Sequence, residues 1–388
     1  MRQKKKILFI AHYTAMYGAN LALCQLILEL KENYPIIPIV LLPSRGDLCD
    51  YLDEINVKYY ISHYYWWVNE NKGIFQLLLN YRKQLRNLLK VPSIICSLSK
   101  EKIDLVYTNS VTVNIGTFIG KKLKCPHIWH LRETLIAYNF KYSLPNFWVR
   151  RIFFKGADQY IVISDFLHKY YNNYLPEDKV KKVYDGICLD NNRLRINHYD
   201  EILNICIVGL VSEQKNQMDA VKAIKILNDK GHKNIKLYII GGAKNDYLKK
   251  ITAYVVENSL ENNIIFSGHK TNINELLDQM NIGLMCSHDE AFGRVSIEYM
   301  LHCLPTIASK SGANEELFED GLNGKLYELY NDVELAEKIE MFIDNSFLLE
   351  TMGSAAFEYA RQNFLSGQNS KAIYSIMENL LSKSENKG

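Results

Sequence analysis

Two glutamates, Glu290 and Glu298, stand eight positions apart with Phe292-Gly293-Arg294 between them. An apolar run, Ile282 to Cys286, reads as a strand and is followed by an acidic loop, His288-Asp289-Glu290. Val295, Tyr299 and Cys303 then recur every fourth residue, the period of one helix face. Leu304 to Ala308 starts the next strand. With a helix opening near Gly293, Glu298 lies roughly 7 Å along its axis, at ~1.5 Å per residue. Carboxylates so placed suit hydrogen bonds from sugar hydroxyls at one end and ribose hydroxyls at the other. The unpaired N–H groups of the helix N-terminus suit a diphosphate between them. An exposed acidic loop followed by one capping glutamate meets the same spacing.

Four further stretches carry groups of the right type. Tyr17-Gly18-Ala19-Asn20 joins an apolar strand to the helix of Leu21, Leu26 and Leu30, and its small residues let a ligand approach the backbone; an ordinary βα turn looks the same. Gly209 to Asn216 ends another strand and places Lys215 before a helix, where it could neutralise a diphosphate or simply sit in solvent. His127-Ile128-Trp129-His130-Leu131-Arg132-Glu133 ends a strand with a titratable imidazole at His130, or with a self-contained hydrogen-bond cluster. Ser309 to Glu316 is a polar turn feeding a short helix.

The elements that must position these groups alternate throughout. Short apolar strands such as Lys6–Ala11, Ile36–Leu42, Val57–Ile61 and Lys182–Val183 alternate with helical patterns, and the second half repeats the scheme from Asn204. Repeated β–α units imply parallel sheets with ligands at the carboxyl ends of the strands. A chain of 388 residues, 48% hydrophobic, suits two cores rather than one. Charge divides it as well: residues 1–200 hold 28 Lys and Arg against 17 Asp and Glu, and the remainder holds 18 against 26. We expect one domain over 1–195, a second over 200–365, and a terminal helix over 366–388 that packs back toward the first. Asn191 to Asp200 reads as the linker, and two such domains would face one cleft.

Several classes are excluded by what the chain lacks. The eight cysteines form no CxxC pair and no Cys/His cluster, which argues against a disulfide framework or zinc site. No DxD-like metal motif ends a strand, and GxGxxG is absent, so neither a metal nor a dinucleotide cofactor is expected. His12 ends the first apolar run too early for a signal peptide, and no run approaches the ~20 residues of a membrane span. These features point to a cytoplasmic chain. An acidic second half without a recognition motif speaks against nucleic acid.

In their order along the chain, these stretches resemble the retaining nucleotide-sugar glycosyltransferases of family 4. Glu290 and Glu298 resemble that family's E-x7-E signature, and Tyr17-Gly18-Ala19 its N-terminal glycine-rich loop. Gly209 to Asn216 is similar to its GR-x-x-x-x-K-G segment. Val162-Ile163-Ser164, Tyr184-Asp185-Gly186-Ile187 and Gly312 to Gly324 are similar to three further family stretches. Leu210 stands where an arginine is common, Asp185 where an asparagine is usual, and Cys303 where a glycine is frequent. The resemblance implies the α/β GT-B architecture: two Rossmann-like, doubly wound parallel-sheet domains. It also implies sugar transfer with retention, without a metal or a protein nucleophile. It assigns Lys215, Glu290 and His130 to the reaction, with His130 near the sugar. Glu298, Phe292, Gly293, Arg294 and Gly209 would bind a UDP- or GDP-sugar donor, and Arg294 would supply the phosphate hydrogen bonds that Leu210 cannot make. Gly18, Ala19 and Asn20 would line the acceptor or diphosphate loop.

The acceptor is expected on the first domain, as a glycan or a lipid-linked glycan. Tyr59-Tyr60, Tyr64-Tyr65-Trp66-Trp67 and Phe75 alternate with Lys72, Arg82, Lys83, Arg86 and Lys90. That mixture suits peripheral binding to the anionic inner leaflet; a core aromatic cluster with a solvated basic helix produces the same sequence. Surface polysaccharide assembly is the expected setting. A nucleotide-sugar 2-epimerase and a non-catalytic partner subunit share the fold; retention of Glu290 and Lys215 favours transfer over both.

Overall fold

Near-continuous apolar runs are what parallel strands covered on both faces require, and Ile7 to Ile10 and Ile39 to Leu42 are such runs, buried on both faces. The computed structural model describes residues 3–70, 73–135, 140–142, 154, 156–188, 201–243, 246–270 and 272–385. The chain divides into two compact units, one of residues 1–188 with 366–388 and one of residues 189–365. The expected linker, Asn191 to Asp200, lies outside the described residues.

The first unit opens with β1 (Lys5–Ile10), α1 (Gly18–Asn33), β2 (Ile36–Leu42), α2 (Asp47–Glu54) and β3 (Lys58–Ile61). It continues through β4 (Val68–Glu70), α3 (Gly73–Leu98), β5 (Leu105–Asn109), α4 (Ile115–Leu123) and β6 (His127–Leu131). β7 (Phe140–Tyr142), β8 (Gln159–Val162), α5 (Asp165–Tyr171) and β9 (Val180–Lys182) complete the sheet-bearing part. Seven strands form one sheet in the order β3-β2-β1-β5-β6-β8-β9. The order reverses between β1 and β5, the position where open α/β sheets take their ligands. β4 and β7 pair antiparallel outside that sheet. The last strand of the sheet is Val180–Lys182, where the sequence suggests Lys182–Val183.

Two of the aromatic residues that suggested a membrane face belong to the core instead. Tyr64 is buried with its hydroxyl donating to the Leu41 carbonyl at 3.0 Å. Trp67 is buried beside Trp129, ring centroids 5.7 Å apart, and its indole N–H donates to the Val111 carbonyl. The segment between them is held by α3 through polar side chains. Asn87 accepts from the Tyr65 N–H at 2.8 Å and donates to its carbonyl at 2.9 Å. Gln84 donates to the Trp66 carbonyl at 3.1 Å. Backbone that joins no sheet needs partners of this kind.

The second unit runs β10 (Leu203–Val208), α6 (Gln217–Asp229), β11 (Ile235–Ile240), α7 (Asp246–Glu257) and β12 (Ile264–Gly268). After α8 (Asn274–Leu277) come β13 (Ile282–Met285), α9 (Arg294–Leu301), β14 (Thr306–Ser309), α10 (Asn314–Leu317) and β15 (Gly324–Tyr327). α11 (Asp332–Asp344) and α12 (Phe347–Asn363) close it. Its six strands are ordered β12-β11-β10-β13-β14-β15, all parallel, with the reversal between β10 and β13.

The chain then returns to the first unit as α13 (Ser366–Glu385). Ile373, Met377 and Leu381 are buried in the same core as Phe9, Leu23 and Ile27. Tyr374 stacks on Tyr34 at 4.3 Å. Gly186 permits the close approach: a Cβ there would lie 2.5 Å from the Ser366 Cα. Among the described residues no helix is long and apolar enough to cross a membrane.

Candidate functional site

In the second unit the strand order brings Lys215 and Glu290 together, because β10 and β13 are neighbours at the reversal and each ends in one of their loops. Gly209 leaves β10 at φ 146°, a backbone shape that L side chains rarely adopt. The chain then turns so that the Lys215 ammonium donates to the Glu290 carboxylate at 2.6 Å. Both side chains keep some exposure, 22% and 13%. The His288 N–H donates to the Gln214 carbonyl at 3.0 Å and fastens one loop to the other.

Glu290 is fixed from behind by the turn after β14. Its carbonyl accepts from the Ala313 N–H at 2.8 Å. Gly312, at φ 65°, passes so close that a Cβ would sit 2.3 Å from that same oxygen. Burial pushes the Glu290 carboxyl up, but the Lys215 charge and hydrogen bonds from Lys215, Ser287 and Gly293 outweigh it. The group therefore lies below its ordinary value and stays an anion.

Gly293 caps α9 in the left-handed conformation, φ 84°. Glu298 is the fifth residue of that helix, and its carboxylate lies 3.2 Å from the Arg294 Nε one turn earlier. Burial raises the Glu298 carboxyl above its ordinary value, and the Arg294 charge only partly offsets this. Arg294 is thus engaged with Glu298, while Leu210, at the position it was expected to compensate, is 59% exposed. The Phe292 ring is buried and lies edge-on to Phe364 at 5.8 Å. Among the described residues no three His, Cys, Asp or Glu side chains converge as a metal site.

The first unit handles its charges differently. Gly18 opens α1, and a Cβ there would meet nothing within 4 Å. Ala19 turns its carbonyl to the Asn109 side chain, which donates at 3.1 Å. Asn20, expected to face a ligand, is buried and donates to the Tyr13 and Ala15 carbonyls at 3.0 and 2.9 Å. It shapes the loop from inside, leaving Gly18 and the Tyr17 backbone on the open side.

His130 is fully buried, and burial followed by the Arg132 charge drives its imidazole well below the ordinary value. The Tyr107 hydroxyl and Arg132 Nη2 both meet its Nδ1. Arginine can only donate, so Nδ1 accepts and Nε2 carries the hydrogen. Nε2 has no partner among the described residues. The titratable imidazole suggested by sequence is therefore a neutral, enclosed one. Arg132 also donates from Nε to the Asn109 carboxamide at 2.6 Å and pairs through Nη1 with Asp185. Asp185, a departure from the expected asparagine, thus balances a buried guanidinium. Asn109 drew no attention in the sequence, and only its place at the end of a strand marked it.

The sequence profile described as Glycosyl transferases group 1 matches residues 190–359. An uncharacterized glycosyltransferase of Methanocaldococcus jannaschii is 30% identical over 281 residues, 68% of this chain and 72% of the relative. The chain belongs to the glycosyl transferases of group 1. The capsular polysaccharide biosynthesis glycosyltransferase CapM of Staphylococcus aureus is 27% identical over 215 residues, 53% of this chain and 54% of CapM. The crystal structure of Anabaena HepE in complex with UDP and glucose superposes with a TM-score of 0.78 at 20% identity, covering 97% of this chain and 100% of HepE. The fold of this group 1 transferase is accordingly GT-B, two Rossmann-like parallel-sheet units.

Proposed function

We propose that this glycosyltransferase moves a sugar from a nucleoside-diphosphate donor to a glycan or lipid-linked glycan, with retention at the anomeric carbon and without a metal. The observation that carries the reading is the Lys215–Glu290 pair at 2.6 Å, at the strand-order reversal of the second unit and beside the glycine-capped start of α9. Lys215 and the N–H groups after Gly293 stabilise the diphosphate as negative charge develops on it. Glu290, an anion at neutral pH, accepts from hydroxyls of the donor sugar, and Glu298 from those of the ribose. Arg294 holds Glu298 in place. The departing phosphate takes the acceptor proton on the face it leaves, so a protein nucleophile is unnecessary. His130, enclosed and neutral, acts by positioning Arg132 and Tyr107 and not by contact with the sugar.

A UDP-sugar is the first donor to test, since HepE was crystallised with UDP and glucose. The CapM relative, named for capsular polysaccharide biosynthesis, supports a setting in surface polysaccharide assembly; presentation of the acceptor at the anionic inner leaflet is part of the proposal. A panel of UDP- and GDP-sugars, read by thermal shift and slow hydrolysis, tests the reading. One sugar nucleotide should raise the melting temperature of the native chain and fail to do so in Glu298→Ala. Equal responses from both proteins, or none, would leave only the fold and favour a non-catalytic partner subunit. Release of an epimerised sugar without acceptor would favour an epimerase.

A further inference from the structure

Between Asn80 and Lys90 helix α3 is built inside out. Among its described side chains the protein-facing positions run Asn80, Gln84, Asn87, Val91, Ile94 and Leu98, one per turn, so the first three of these are polar. Two of these three side chains are occupied: Asn87 clamps the Tyr65 backbone, and Gln84 bridges the Trp66 carbonyl and Asn114. The apolar residues face out. Tyr81, Leu85, Leu88 and Leu89 are 42, 57, 43 and 70% exposed and follow a single stripe at i, i+4, i+7 and i+8. Arg82, Arg86 and Lys90 form the adjacent stripe at i, i+4 and i+8 and are exposed as well. Residues 73–98 contain no Asp or Glu.

The neighbouring helix extends the surface. A shallow groove of about 350 Å³ runs between α3 and α4, lined by Leu88, Val91, Pro92, Phe118, Lys121 and Lys122. Its floor is largely apolar and its rim basic. A soluble surface helix places its apolar stripe on the core; here that stripe is turned outward and flanked by cations, as in helices that lie in a membrane interface.

We propose that the outward face of α3, with the Lys121–Lys122 rim of α4, docks this chain on an anionic lipid bilayer. Leucines enter the acyl boundary while arginine and lysine heads reach back to the phosphates. The charge pattern selects this occupant. A second copy pairing through the same face would set Arg82 and Arg86 against like charges, with no acid on the helix to answer them. A nucleic acid would meet the cations but not the leucines. The inference deepens the inner-leaflet part of the proposed function, and it locates on one helix a contact that the core positions of Tyr64 and Trp67 cannot make.

Flotation of the full chain with phosphatidylcholine vesicles, with and without phosphatidylglycerol, tests it. Binding is expected only with phosphatidylglycerol. Arg82→Glu with Arg86→Glu should lower the partition coefficient by at least about 25-fold, roughly fivefold for each side chain. Leu85→Ser with Leu89→Ser, both at exposed positions, should weaken binding comparably while leaving the melting temperature unchanged. A native chain unbound at low salt, or variants that float as well as it does, would overturn the proposal. So would a loss of self-association in the leucine variant with vesicle binding intact, which would make a second copy the occupant. Donor hydrolysis in solution separates this from the catalytic reading. The α3 variants should keep it, and Glu290→Gln should lose it and still float.

Discussion

At the carboxyl end of the first sheet, Arg132 and Asp185 are 2% and 7% exposed; at that of the second, Lys215 and Glu290 are 22% and 13%. Both pairs join a cation and a carboxylate between strand-end loops of a parallel sheet. The first is sealed and surrounded by groups that answer one another, Asn109, His130 and Tyr107. The second is reachable, and the glycines at 209, 293 and 312 keep side chains away from it or let backbone approach it. A buried ion pair with satisfied partners holds a fold in one arrangement. An accessible pair beside a helix N-terminus can exchange partners with a ligand. One architecture therefore serves rigidity in one unit and exchange in the other.

Acid should separate the units most strongly. His12 and His127 are both lowered to about 3, by burial first, and His130 is lowered too. All three are neutral when folded, so they leave stability unchanged above pH ~6.5, the value for an unfolded histidine. Below it the unfolded chain takes up their protons and stability drops by up to ~4 kcal/mol per pH unit, until the folded values of about 3 for His12 and His127 are reached. All four tryptophans lie within residues 1–188, so tryptophan emission against pH reports the first unit alone. Emission that stays native down to pH 4 in urea, while neutral-pH controls unfold, would contradict the buried-imidazole account.

Removing one partner from each pair sharpens the contrast. Asp185→Ala strands a buried guanidinium and should cost about 3–5 kcal/mol in denaturant unfolding. Lys215→Ala should cost under about 1 kcal/mol in stability, because its pair is partly solvated. It should reduce donor turnover by roughly 10²–10³. Similar stability losses in both variants would erase the distinction. Gly312→Ala tests the turn behind Glu290: the left-handed backbone alone should cost about 1–2 kcal/mol, and the clash with the Glu290 backbone adds to it. A loss of donor-induced thermal shift should accompany it, and an unaltered shift would show that Glu290 does not depend on that turn.

How far the sequence led depends on how local the information was. The parallel strands were legible because apolar runs such as Ile7 to Ile10 and Ile282 to Cys286 declare burial on both faces. That Lys215 and Glu290 share a site was implied only by the family resemblance; the strand order that brings them together is seen in the structure. Other features depend on partners far along the chain. The β4–β7 pair joins two three-residue strands, Val68 opposite Tyr142, too short and too distant to announce each other. Arg132 finds Asp185 53 positions away, and the neighbouring His130 is held neutral by burial first and the Arg132 charge second. In α3 the basic helical stretch was visible but not which face turns outward, because that is decided by the backbone of Tyr65 and Trp66 asking for polar partners.

The return of α13 bears on how the molecule is made. The core around Phe9 and Ile27 includes Ile373, Met377 and Leu381. During synthesis those residues leave the ribosome only after the whole of 189–365 has emerged, so the unit begun first is finished last. The intervening unit has every strand of its sheet before α13 appears and can fold while the earlier one waits with an open hydrophobic side. A ribosome stalled before residue 366 would thus hold a folded second unit beside an unfinished first, the species most in need of a chaperone.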